Sequence, residues 1–245
     1  MNWSKAKTIL ILALIITDVF LILAYGDFGF TGGGFKDNKA LADFLAQKGI
    51  FVNAAIIPVK HDDMPVLFVQ NEDGCTDRMR ALLSESSLQK VTGGKDEDYM
   101  KAADSFIKSS GPGFESAVFK SVERSGDEVL VTYKNVIRGI TIEKSDMTCV
   151  FKGGILADVN CAWLKAVNFN NKKQKTISAA QGLLLFMMQN EGKKDIHIDS
   201  MDMIYWLDDS GIDIETAVSA DTALPVWKIV YDGGEVSYID AFDHQ

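Results

Sequence analysis

Cysteine, proline and histidine are scarce in this chain, and basic residues are outnumbered by acidic ones. The 245 residues include 3 cysteines, 4 prolines and 3 histidines, with 25 Lys and Arg against 34 Asp and Glu. So few cysteines exclude a disulfide-dense scaffold. The net charge of −9 argues against a nucleic-acid partner, whose phosphates require clustered basic residues. An apolar fraction of 47% excludes disorder and is typical of a globular protein.

Motifs for catalysis and cofactor binding are also missing. Neither a GxSxG motif nor a P-loop occurs. His197 and Asp199 alternate on one predicted strand face and could begin a metal site, but nothing supplies the further ligands. We therefore predict a protein that is not an enzyme, with no catalytic residues, no metal and no cofactor. An envelope hydrolase is the weaker alternative.

Apolar residues are concentrated near the N-terminus, where residues 8–25 read TILILALIITDVFLILAY. As a helix this run would be roughly 27 Å long, close to the hydrocarbon thickness of a lipid bilayer. It predicts a single transmembrane helix, in spite of Asp18. Because Lys5 and Lys7 precede it, we expect residues 1–7 in the cytoplasm and the C-terminal part outside the cell membrane. A cleavable signal peptide is the alternative, although its apolar core is usually shorter.

Asp18 is a candidate partner-binding residue, because a carboxylate inside a membrane is costly and commonly has a function. On a helix it shares one face with four bulky residues, Ile11, Leu14, Ile22 and Tyr25. We predict that Asp18 hydrogen-bonds to a polar group on a partner's transmembrane helix. The alternative is a tolerated acid that draws in water or lipid headgroups.

The residues that follow the apolar run are predicted to form a tether, several helices and many short strands. Residues 26–35, GDFGFTGGGF, predict a glycine-rich tether. Apolar periodicity predicts helices over four ranges, 39–48, 76–86, 97–107 and 177–190. Between them lie β-rich runs, and glycine pairs predict hairpin turns at Gly153-Gly154 and Gly233-Gly234.

The order of these elements predicts an α+β fold behind the transmembrane helix. Each half of the exterior part has a strand pair, a helix and three or four antiparallel strands, so each would pack helices against an antiparallel sheet. We expect two related subdomains, the first over residues 36–145 and the second over residues 146–245.

The predicted hairpin at Gly153-Gly154 bears on the state of the cysteines. A regular two-residue turn places Cys149 and Cys161 on opposite faces, where they cannot form a disulfide. Cys75 lies far away in sequence. We therefore expect three unpaired thiols.

Aromatic residues accumulate on the predicted strands of the second half. Their ordinary role is to pack a helix against its sheet. A protein-binding face is the alternative, because Trp and Tyr are typical interface anchors. The candidates for such a face are Trp206, Trp227 and Tyr238.

Both ends of the chain carry a recognisable pattern. At the N-terminus it consists of Asn2, Trp3, Ser4, Lys5, Lys7 and Thr8, which lead directly into the apolar run. This pattern closely resembles the N-terminus of the YycI (WalI) family. The ending LPVWKIVYDGGEVSYIDAF is similar to that family's final hairpin. The middle of the chain is similar only in length and strand order.

The resemblance implies a regulator of the cell-envelope two-component system YycFG (WalRK) of Gram-positive bacteria. Such proteins cross the membrane once, expose two related α+β subdomains and act with the sister protein YycH on the sensor histidine kinase YycG (WalK). We therefore expect a non-enzymatic membrane regulator that contacts the kinase through transmembrane and extracytoplasmic contacts. The alternative is an anchored or secreted extracytoplasmic binding module for a peptide or an envelope ligand.

Overall fold

The secondary structure is dominated by strands, with a few helices between them. A computed structural model describes residues 37–86, 90–193, 195–207 and 221–243, and the single residue Thr17. The α-helices of this part are α1 (Asn38–Gln47), α2 (Cys75–Glu85), α3 (Asp96–Ser109) and α4 (Ala179–Gln189). Its strands are β1 (Ile50–Val52), β2 (Leu67–Asn71), β3 (Ala117–Ser125), β4 (Glu128–Ile137), β5 (Ile140–Lys152), β6 (Ile155–Ala162), β7 (Leu164–Phe169), β8 (Ile196–Leu207), β9 (Asp221–Tyr231) and β10 (Glu235–Asp240).

All ten of these strands belong to one mixed sheet. The main path of the sheet runs β3-β4-β5-β8-β9-β2-β7, with β6 beside β5, β1 beside β8 and β10 beside β9. Strands β3 to β6 form an antiparallel meander. The pairs β1–β8 and β5–β8 are parallel.

The predicted fold class, a transmembrane helix followed by two antiparallel α+β subdomains, is therefore wrong. The described strands make a single mixed sheet, and parallel pairs connect parts of the chain that are far apart in sequence. In the described residues no helix is long and apolar enough to cross a membrane. The predicted helix over residues 8–25 and the tether over residues 26–35 lie outside the described residues.

The contacts within the chain divide it into two compact units, each made of several segments. The first contains the described residues up to His61, together with Ile177–Asp202 and Ile229–Ile239. The second contains Asp62–Thr176, Met203–Lys228 and the residues from Asp240 onward. The predicted boundary between residues 145 and 146 falls inside β5.

In the second unit, α2 and α3 cover one face of the β3–β6 meander. Alternate residues of β4, namely Val129, Val131 and Tyr133, point into this core, as a period of two requires. Phe106 of α3 and Trp163 after β6 fill its centre, each about 1% exposed. A second cluster in the same unit surrounds Leu67, Ile142 and Tyr205.

The expectation of three unpaired thiols is wrong, because Cys75 and Cys161 form a disulfide. An irregularity between Val150 and Phe151 shifts the β5–β6 register by one residue. Cys149 therefore lies opposite Val159, on the same face of the sheet as Cys161. The thiol of Cys149 is free and fully buried.

Candidate functional site

Helix α1 forms one wall of an open groove in the first unit. The side chain of Asp37 accepts a hydrogen bond from the backbone N–H of Lys39 and so caps the start of the helix. Leu41 and Leu45, four residues apart on one face, are fully buried and fix the helix to the core. The side of α1 next to this face lines the groove with Ala42, Asp43 and Ala46.

The segment that follows β1 is tied back to the start of α1. The amide nitrogen of Asn38 donates to the carbonyl oxygen of Ile57 at 2.8 Å and to that of Ala54 at 3.3 Å. The side chain of Asn53 accepts from the backbone N–H of Ala55 at 2.9 Å and begins a single 3₁₀ turn. These bonds hold Asn53, a lining residue, in a fixed position at the edge of the groove.

The floor of the groove is the parallel pair of β1 and β8. Its register places Phe51 beside His197, and the neighbouring Ile196 and Ile198 are buried. Because strand side chains alternate, the rings of Phe51 and His197 lie on the solvent side. They stack with centroids 5.0 Å apart and an interplanar angle of 20°. Phe51 is 39% exposed, so a large aromatic surface faces water.

The turn between β9 and β10 fixes the exposed stretch of β8. The backbone N–H of Asp232 donates to the carbonyl oxygen of His197 at 2.8 Å. The N–H of His197 in turn donates to the Asp232 carboxylate at 2.7 Å. One carboxylate oxygen of Asp199 accepts from the N–H of Gly233 at 2.9 Å. Asp232 and Gly233 have positive φ values of 50° and 76°, so this turn needs Gly, or a residue such as Asp that tolerates this conformation.

The groove has a volume of about 380 Å³, and both aromatic and negatively charged side chains line it. Besides the Phe51–His197 stack it is lined by the carboxylates of Asp43 and Asp199, and none of the described residues that line it is Lys or Arg. Such a surface is suited to binding a cationic or flat group. In the described part of the chain, no group of three or more His, Cys, Asp or Glu could hold a metal ion.

The described residues among those predicted to bind partners, Trp206, Trp227 and Tyr238, do not line this groove. Asp18 and its helix face, Ile11, Leu14, Ile22 and Tyr25, lie outside the described residues. Trp227 is 1% exposed, while Trp206 and Tyr238 are partly buried. The assignment of these residues as anchors stays a prediction.

The sequence pattern singles out only two residues of the groove, His197 and Asp199, and it does so as the possible start of a metal site. The alternation of His197 and Asp199 on one strand face was visible in the sequence and is present in the structure. Phe51 was missed because it stands in an apolar β-rich run, where an aromatic residue is expected in the core. Its exposure follows from the pairing of β1 with β8, which no local pattern indicates.

Comparisons with known proteins reveal distant structural likeness alone. No protein-family profile matches the chain, and no curated protein matches it. Twelve chains of solved structures do match. One is an uncharacterized protein from Eubacterium rectale ATCC 33656, with 13% identity and a TM-score of 0.41. The alignment covers 63% of this chain and spans about half, 53%, of that protein.

A second match is the YpeB C-terminal domain of Bacillus megaterium, with 10% identity and a TM-score of 0.35. It covers 62% of this chain and 69% of that domain.

Proposed function

We propose that this chain is a non-enzymatic regulator of a cell-envelope sensor histidine kinase and that the groove of its first unit binds a protein partner. The observation that carries the binding role is the solvent-exposed stack of Phe51 and His197. Aromatic residues, Phe among them, are enriched in protein interfaces relative to the rest of the surface.

The kind of partner follows from the sequence resemblance to the YycI (WalI) family. It rests on the N-terminal pattern of residues 2–8 and on the ending of the chain. The proposed partners are a kinase of the YycG (WalK) type and a sister protein of the YycH type.

The proposed location is the cell membrane, with the N-terminus in the cytoplasm and the C-terminal part outside. It rests on the apolar sequence of residues 8–25 and on Lys5 and Lys7, which precede it. Under this proposal the groove faces the extracytoplasmic region of the kinase.

A regulator of this kind needs little binding energy. A partner that binds one conformation of the kinase more tightly than the other by about 1.4 kcal/mol shifts the equilibrium between them tenfold. One buried aromatic contact supplies energy of this order. One aromatic contact in the groove therefore supplies enough binding energy for a regulatory role.

Site-specific photo-crosslinking in living cells tests the proposal. A photoreactive amino acid replaces Ala46 in the groove or, as the control, Val118 on β3, which is 49% exposed in the other unit. We expect an adduct with the sensor kinase or the YycH-like protein from position 46 and none from position 118. The absence of any such adduct from position 46, or equal adducts from both positions, would contradict the proposal.

A binding module for a peptide or an envelope ligand is the second candidate function. The open shape of the groove and its lining of aromatic and acidic side chains favour it, because a peptide side chain can enter from solvent. Kinase output in cells that carry Phe51→Ala separates the two candidates. A changed output supports the regulator, whereas an unchanged output supports the binding module.

A further inference from the structure

The groove has a chemical character that points to one kind of occupant. Two of its lining residues, Asp43 and Asp199, carry negative charge, and among the lining residues that the structure describes none carries a permanent positive charge. The complementary ligand group is a cation, because like charges opposed across an interface are unfavourable. We infer that the groove binds an arginine side chain presented by an extended segment of the partner, an inference that rests on the proposed protein-binding function.

The aromatic floor favours arginine over lysine. Phe51 and His197 lie nearly parallel, at 20°, and Phe51 presents an exposed ring surface. A guanidinium is flat and weakly hydrated, so it stacks on such a surface, whereas an ammonium is a compact and strongly hydrated charge. A guanidinium also has five N–H donors for the carboxylates around it.

The walls of the groove leave space above this floor. Ala42 and Ala46 are one helical turn apart on α1, so the wall opposite β8 carries only methyl groups at these positions. Across the floor, the Asp199 carboxylate is held by the N–H of Gly233 through one oxygen. That bond fixes the carboxylate before a ligand arrives, which lowers the entropic cost of binding.

Peptide binding to the full chain tests the inference. The probe is a fluorescein-labelled peptide of glycine and serine with one central arginine, and its affinity is measured by fluorescence anisotropy. The matched peptides carry citrulline, which has the shape of arginine without the charge, or lysine. We expect the citrulline peptide to bind about tenfold more weakly and the lysine peptide to bind more weakly than the arginine peptide.

Substitutions in the chain locate the binding. Asp199→Asn retains an acceptor for the N–H of Gly233 and removes only the charge, and Phe51→Leu removes the ring. Each should weaken binding of the arginine peptide by about fivefold or more. The matched controls in the other unit are Asp127→Asn and Phe119→Leu, the latter at a ring that is 41% exposed. Neither control should change the affinity, and thermal unfolding verifies that every variant is folded.

Equal affinity for the arginine and citrulline peptides, equal affinity for the arginine and lysine peptides, or an affinity that Asp199→Asn leaves unchanged would overturn the inference. If position 46 crosslinks to the kinase but the peptides show no preference for arginine, the inference is overturned and the proposed function stands. Arginine binding without a kinase adduct would contradict the proposed function alone.

Discussion

At the scale of single residues, the buried side chain of Tyr205 in the second unit has an altered pKa. Its side chain is 2% exposed, and its hydroxyl donates a hydrogen bond to the carbonyl oxygen of Pro65 at 3.0 Å. Burial disfavours the phenolate and raises the pKa of Tyr205 to about 12. The folded protein therefore keeps this phenol neutral at a pH where an unfolded chain would lose the proton.

This pKa shift predicts a pH-dependent effect of Tyr205→Phe. At neutral pH the variant should be less stable by about 1 kcal/mol, because one buried hydrogen bond is lost. Above a pH of about 10 the unfolded wild-type chain loses the Tyr205 proton while the folded one keeps it, so wild-type stability falls. The difference between the two proteins should then shrink and change sign before the pH reaches 12, because a pKa shift of about two units outweighs one hydrogen bond. Urea unfolding across this pH range measures it, and a constant difference would contradict the assignment.

At the scale of elements, the disulfide joins α2 to the end of β6. It links Cys75 and Cys161 across 86 residues of sequence and closes a long loop of the unfolded chain. Near the same link, the Thr76 hydroxyl donates to the carbonyl oxygen of Cys161 at 3.0 Å, and the N–H of Cys161 donates to that hydroxyl oxygen at 2.9 Å. The start of α2 is thus attached to β6 by both covalent and hydrogen bonds.

We expect Cys75→Ser to lower the free energy of unfolding by about 2–4 kcal/mol. A reductant should destabilise the wild-type protein by a similar amount. It should leave the stability of the variant unchanged, so the variant is the control for other effects of the reductant. Thiol titration of the unfolded, unreduced wild-type chain should detect one thiol, that of Cys149. In the folded protein that thiol should not react, because burial raises its pKa to about 12. Three titratable thiols without reductant would show that the disulfide is absent.

Local sequence patterns were sufficient to predict helices and turns. The predicted helix over residues 177–190 is confirmed as α4, whose start is a capping box of Ser178 and Gln181. The hairpin between β5 and β6 at Gly153-Gly154 is also confirmed. Periodicity and turn residues act over a few positions, so elements of this kind are readable from the chain alone.

Pairing over long distances and register were not predictable in the same way. The irregularity between Val150 and Phe151 leaves no mark in the sequence, and a shift of one residue was enough to misplace Cys149 relative to Cys161. The groove depends on the parallel pairing of Phe51 with His197, which brings distant parts of the chain together. A sequence pattern indicates that each strand exists but not which strand is its neighbour.

At the scale of the whole molecule, each compact unit consists of segments that are far apart in the sequence. The first unit uses three separate segments, the described residues up to His61, Ile177–Asp202 and Ile229–Ile239. In the first unit β1 pairs with β8, and in the second unit β2 pairs with both β7 and β9. A cut in the middle of the sequence would therefore separate strands from their partners in both units.

This arrangement predicts that the halves 36–145 and 146–245 do not fold when each is produced alone. The first half would keep β1 and β2 without the strands they pair with, and the cut would divide β5 itself. These losses expose unpaired backbone groups and apolar side chains. The free-energy cost of that exposure exceeds the net stability of a folded domain, which is only about 5–15 kcal/mol. Far-UV circular dichroism with urea titration should reveal no cooperative transition for either half. The fragment 36–245 serves as the control and should unfold cooperatively, and a cooperative transition in either isolated half would show that the two halves are independent domains.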